Sequence, residues 1–183
     1  YYNAKDVVSG DFPWLLRKGN VVYVAAVDCT GHGVPGAMIS VACANILNKS
    51  VKELSLSKPS QILDKATELV VDAFSISGVE QTYITDGMDI ALCAIEKLDS
   101  ENVAIEFSGA NNPLWIYRKN GQFEEISGDR QPIGYFENKR PFTNSSVILE
   151  KGDTIYMFSD GYTDQFGGEK NKKYKSDNFK KKL

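Results

Sequence analysis

The sequence predicts an α+β fold with a largely antiparallel sheet. Three observations carry this. Residues 20–28 (NVVYVAAVD) form a continuous β-branched and aromatic run, the pattern of a buried strand. Two helical segments then follow one another directly, instead of alternating with strands. A series of short, β-rich segments separated by turn residues occupies the rest of the chain. Helices grouped between sets of strands favour antiparallel pairing over βαβ units.

Taken in order, the first residues already read as strand, and residues 20–28 form the next. That strand runs into the flexible turn Cys29-Thr30-Gly31-His32-Gly33. Residues 35–47 are small and apolar on every side and outlast most strands, which predicts a buried helix with Pro35 in its first turn. After Ser57-Lys58-Pro59-Ser60, apolar residues recur at Ile62, Leu63, Ala66, Leu69, Val70, Ala73 and Phe74. Spacings of three and four give a second helix one apolar face, and Gly78 stops it. Strands are expected over 88–96, 103–108, 114–118 and 122–126, with a hairpin at Asn120-Gly121. Two more are expected over 146–149 and 154–159, joined by Lys151-Gly152-Asp153.

The chain has 183 residues, 42% hydrophobic and 25% charged, which suits one soluble domain spanning 1–183. No apolar run reaches the roughly 20 residues needed to cross a bilayer. The single histidine, His32, excludes any metal site built from several imidazoles. Cys29, Cys43 and Cys93 form no CxxC pair, and their odd number argues for a reducing compartment. From Glu169 onward seven Lys face two acids, while the body carries 14 basic and 22 acidic residues. No aromatic platform accompanies the basic tail, so it reads as a solvated loop and helix start, and no nucleic-acid partner is expected.

Three acidic positions share one design. Asp11 lies in Ser9-Gly10-Asp11-Phe12, Asp28 ends the first apolar strand, and Asp160 ends another before Gly161 and Asp164. A carboxylate at the end of a buried strand is costly unless it is paired or metal-bound. Carboxylate and carbonyl oxygens suit hard cations such as Mg²⁺ and Mn²⁺, and with one histidine available the site is oxygen-only. His32 sits between glycines on a turn into a helix, where free N–H groups attract anions. A phosphate contact by His32, Gly31 and Gly33 is therefore expected, with Lys5 as an outlying candidate.

These residues also fall in five ordered blocks. They are Ser9-Gly10-Asp11-Phe12, Asp28-Cys29-Thr30-Gly31-His32-Gly33-Val34-Pro35-Gly36-Ala37, Ser108-Gly109-Ala110-Asn111-Asn112-Pro113-Leu114, Gln131-Pro132-Ile133-Gly134 and Ser159-Asp160-Gly161-Tyr162-Thr163-Asp164. Together, across residues 4–168, they resemble the SpoIIE-type branch of the metal-dependent (type 2C, PPM) serine/threonine phosphatases. The resemblance implies a four-layer αββα sandwich holding two Mn²⁺ or Mg²⁺ ions at one edge of its antiparallel sheets. It casts Asp28 as the bridging ligand, Cys29 as a carbonyl ligand, and Asp160 and Asp11 as further ligands. Asp164 would stand behind them, and Asp86 and Asp89 would support a weaker site.

The implied reaction is hydrolysis of phosphoserine or phosphothreonine by in-line attack of hydroxide generated between the two ions, with His32 protonating the leaving alkoxide. The implied substrate is a phosphorylated signalling protein, such as an anti-anti-sigma (STAS) protein. Relatives of this branch sit in the cytoplasm, C-terminal to sensor, repeat or membrane segments, which leaves a membrane-anchored full-length protein open. Two departures stand out. The family's final Asp-Asp pair is missing, so the chain reads as a fragment lacking its last strand and weakened in its metal centre. Pro13 also replaces an aromatic residue. A non-catalytic pseudophosphatase that binds a phosphoprotein or partner is the alternative.

Overall fold

The computed structural model describes residues 7–74, 86–167 and 171–182. Lys5, Gly78 and the expected opening strand lie outside them. Five antiparallel strands form the main sheet in the order β1-β2-β3-β4-β7: Phe12–Lys18, Val21–Cys29, Met88–Lys97, Asn102–Ala110 and Ser145–Glu150. A second sheet, β6-β5-β8, is built from Phe123–Ile126, Leu114–Tyr117 and Thr154–Tyr156. Two helices, α1 (Gly33–Lys52) and α2 (Pro59–Phe74), lie together between β2 and β3 in the chain.

Side-chain alternation along β2 and β3 sorts the structure into layers. Tyr23, Ala25, Val27 and Cys29 face one way, with Met88, Ile90 and Leu92, into a core completed by Ile39, Leu47, Ile62 and Leu63 of the helices. Ala91 and Cys93 face the other way, meeting Ile105, Phe107, Leu114 and Ile116 between the two sheets. Each Val, Leu, Ile, Phe or Met among them contributes roughly 1.5–3 kcal/mol when fully buried. Polar ties add registry: Tyr23 donates to the Ser57 carbonyl at 3.1 Å and Lys18 to the Val51 carbonyl at 2.7 Å.

The outer face of the small sheet is covered by aromatic rings. Trp115 packs against Phe123, Phe158 and Phe179, the last from the short helix α3 (Ser176–Lys180). Among the described residues this helix alone supplies the expected fourth layer. It is preceded by an antiparallel pair of two-residue strands, β9 (Phe166–Gly167) with β10 (Lys172–Lys173).

Three sequence expectations change. β1 is an element with bounds the sequence does not predict; its Pro13 is tolerated because, among the described residues, β1 is an edge strand paired with β2 alone. The strand expected over 154–159 stops at Tyr156, because its partner β5 begins at Leu114, directly after Pro113, which has no N–H to donate. Asp160 therefore sits in a turn and not on a strand end. The basic tail is not simply solvated either: Lys173 pairs with Asp164 and Lys180 with Glu125.

Leu47 is fully buried in the helix-side core. Leu47→Ala is expected to lower unfolding stability by about 2–5 kcal/mol, read as a shift in the urea midpoint at unchanged slope.

Candidate metal centre

The register of β2 against β3 places Asp28 directly opposite Asp89. Their neighbours Val27, Cys29, Met88 and Ile90 point to the helices, so both carboxylates belong to the opposite, inter-sheet face. The β1–β2 register pairs Phe12 with Val27, which brings Asp11 beside Asp28 one step further on. Three neighbouring strands thus deliver three carboxylates to one end of the sheet. Asp160 arrives from the second sheet, in the turn beyond β8, and its main-chain N–H donates to Asp28.

Such crowding has an electrostatic cost. Burial, then the charges of Asp11 and Asp160, push the Asp28 carboxyl up to about 7. Asp89 is raised by burial, against the opposing effect of the Asn111 amide, which donates to it at 2.8 Å. Asp160 stands at the exposed rim. Burial and the charges of Asp164 and Asp11 raise it, while Lys173 pulls it down. A bound cation would relieve this repulsion.

The donors fit a hard divalent ion: carboxylates and main-chain carbonyls, with no imidazole cluster and no available thiolate. The Cys29 thiol is hydrogen-bonded to Cys43 and buried in the helix-side core, and both effects hold it protonated. Its carbonyl points instead toward Gly10, where a Cβ would stand 2.9 Å from the oxygen. As they stand, the carboxylates turn to each other and to local donors; Ser159 donates to Asp11 at 2.6 Å. Among the described residues no three His, Cys, Asp or Glu side chains form a finished cage.

Glycines let the backbones meet here. A Cβ on Gly87 would lie 2.1 Å from the Ile133 carbonyl, because Met88 and Ile133 exchange two main-chain hydrogen bonds at 3.0 and 2.9 Å. The Gln131-Pro132-Ile133-Gly134 block is thereby fixed against the strand carrying Asp89. Gly31 and Gly33 adopt φ of 86° and 63°, which turns the chain into α1. His32 is the N-cap residue of α1, with extended backbone, no side-chain capping bond and an exposed ring. No acid occupies the first turn of α1. His32 lines one cleft of ≈ 350 Å³ together with Asp28, Asp89, Asp160, Ile133 and Tyr135.

Most of the sequence candidates therefore meet. Asp89 stands opposite Asp28, and the Asp86 carboxylate accepts from Thr30 at 3.4 Å. Asp164 is bound to Lys173. Asn111 and Ser159 were given no role from sequence, although both stand in the quoted motif blocks.

A model of the family described as Stage II sporulation protein E (SpoIIE) matches residues 18–182. The chain belongs to the SpoIIE family. It is 22% identical over 159 residues to the phosphoserine phosphatase RsbU of Bacillus subtilis (strain 168), covering 86% of this chain and 43% of RsbU. The SpoIIE-family chain thus spans less than half the length of that relative. The solved SiaA-PP2C domain of Pseudomonas aeruginosa superposes with a TM-score of 0.80 at 27% identity, covering 96% of this chain and 65% of that one. RsbX, solved in complex with magnesium, shares the fold at a TM-score of 0.60 and 13% identity, covering 86% and 69%. The SpoIIE-family fold is thus that of the PP2C phosphatases.

In unfolded chain an Asp carboxyl titrates near 4, whereas folded, metal-free Asp28 titrates at about 7. Between these values the folded state holds a proton that the unfolded state has released, so this group's stabilising contribution is full below pH 4 and is lost as pH rises to 7. Asp28→Asn removes that loss. In the presence of chelator at pH 7.5 the variant should exceed the parent in stability by about 1–3 kcal/mol, after allowance for solvent at the cleft. The two should converge at pH 4; parallel curves across this range would contradict the assignment.

Proposed function

We propose that this SpoIIE-family chain carries the catalytic part of a Mn²⁺- or Mg²⁺-dependent protein phosphatase acting on phosphoserine or phosphothreonine. The observation that carries the reading is the convergence of Asp11, Asp28, Asp89 and Asp160 beside the His32 turn. Asp28, Asp11, Asp160 and the Cys29 carbonyl would hold two ions, as the donor chemistry and the mutual repulsion of the carboxylates favour. Bound there, the ions supply hydroxide near neutral pH and charge stabilisation for the phosphoryl oxygens.

The chain's own groups do the rest. The first turn of α1, opened by Gly31 and Gly33, has no side-chain cap from His32, and N–H groups at such a helix start orient phosphoryl oxygens. His32, on the rim of the same cleft, donates a proton to the departing seryl or threonyl oxygen. Asn111 and Ser159 hold the Asp89 and Asp11 carboxylates in fixed orientations. Asp86 and Asp164 stand behind this set. Lys5 is a candidate phosphate contact outside the described residues.

The name of RsbU as a phosphoserine phosphatase, and of RsbX as a magnesium complex, supports the reading of activity and metal. The substrate is a phosphorylated signalling protein, with an anti-anti-sigma (STAS) protein as the favoured type. Upstream sensor or repeat segments of a longer chain would control it. No described helix is long and apolar enough to cross a membrane.

Two measurements test this proposal. The chain should hydrolyse a phosphoserine peptide only with Mn²⁺ or Mg²⁺ present, and Asp28→Asn should abolish that turnover. His32→Ala should lower kcat about 10²-fold with Mn²⁺ affinity unchanged. A parent that binds phosphoprotein without turnover under any metal would favour the pseudophosphatase reading instead.

A further inference from the structure

Asp160 differs from the other three carboxylates in its support. Asp11, Asp28 and Asp89 stand on or next to paired strands of the five-stranded sheet, whereas β8 ends at Tyr156 and Asp160 lies in the turn that follows. The turn is closed by its own bonds: the Asp164 N–H and the Thr163 hydroxyl both donate to the Asp160 carbonyl, at 2.8 and 3.0 Å. Those bonds set its shape. They do not fix where it stands relative to the sheet.

Ser159 ties the start of the turn to Asp11, and residues 171–182 hold its far end. The Lys175 N–H donates to the Thr163 carbonyl at 2.7 Å, and the Tyr174 N–H to the Gln165 carbonyl at 2.8 Å. Lys173 forms an ion pair with the Asp164 carboxylate. The Tyr162 ring packs between Tyr174, at 5.5 Å, and Phe179, at 4.7 Å. Phe179 in turn contacts Phe158 and Trp115, and the Tyr117 hydroxyl donates to the Lys180 carbonyl at 3.0 Å. One face of this segment therefore grips the Asp160 turn, and the other is anchored to the small sheet.

We infer that Lys173, acting through Asp164, and Phe179, acting through Tyr162, are positioning residues that hold the Asp160 carboxylate at the metal-binding end of the sheet. The inference rests on the proposed role of Asp160 as a metal ligand. Lys173 and Asp164 are each about half exposed, at 45% and 44%. An ion pair of that kind contributes little to global stability. Its loss leaves an unneutralised carboxylate beside Asp160 and frees the turn, so the consequence is local. A partner group that orients a ligand governs metal affinity even where it adds little to folding.

The test uses the full chain and two readouts. Calorimetric titration with Mn²⁺ alone should show Lys173→Met binding about 10–100-fold more weakly than the parent, with its thermal midpoint in chelator moved by less than about 2 °C. Lys173→Arg, which keeps the charge, should restore affinity. In metal-free protein the amides of Asp164 and Lys175 should exchange hydrogen faster in Lys173→Met than in the parent. Phe179→Leu, chosen to keep a bulky side chain, should act in the same direction. Unchanged exchange in Lys173→Met, or Mn²⁺ affinity equal to the parent's, overturns the inference. A parent that binds no Mn²⁺ defeats the metal reading of Asp160, and the exchange measurement then still decides whether Lys173 positions the turn.

Discussion

Like charge, held close, is the constraint on which the rest of this molecule depends. Asp28 and Asp89 face each other across a strand pair, with Asp11 alongside and Asp160 closing from the second sheet. Left to themselves, four carboxylates would move apart into water. They are kept together by two cores, one under the helices and one between the sheets, whose buried side chains fix the strands that carry them. The repulsion is thus stored against packing, and a bound hard cation would release it.

The surrounding parts read as consequences of that constraint. Gly10, Gly31, Gly36 and Gly87 remove side chains where main chain must pass within contact distance of main chain, bringing the His32 turn and the Ile133 loop up to the carboxylates. Asn111 and Ser159 donate to the carboxylates without adding charge. The Cys29 thiol is turned into the helix-side core, and its carbonyl lies against Gly10. Membership of the SpoIIE family and likeness to the PP2C fold describe the same design from outside.

How much of this was legible in the sequence differs from residue to residue. The run ending at Asp28, the apolar period of α2 and the Asn120-Gly121 hairpin could be read directly, because each is a local pattern. The His32 turn was legible from its glycines. Asp89 is harder to place, since only the register across β2 and β3 shows that it stands opposite Asp28. The end of β8 depends on Pro113, just before its partner strand β5 and some forty positions earlier, which no local pattern reports. The strands β9 and β10 are two residues each, too short to have a period, and Lys173 reads as solvated until its partner Asp164 is placed.

The cysteines carry one more consequence. All three are free and buried, with Cys29 and Cys43 in the helix-side core and Cys93 between the sheets. A thiol reagent in solution meets none of them until the layer above opens. Labelling rates at Cys43 and Cys93 would then time the opening of each core separately, so the native chain already contains two clocks for its own breathing motions, without any introduced probe.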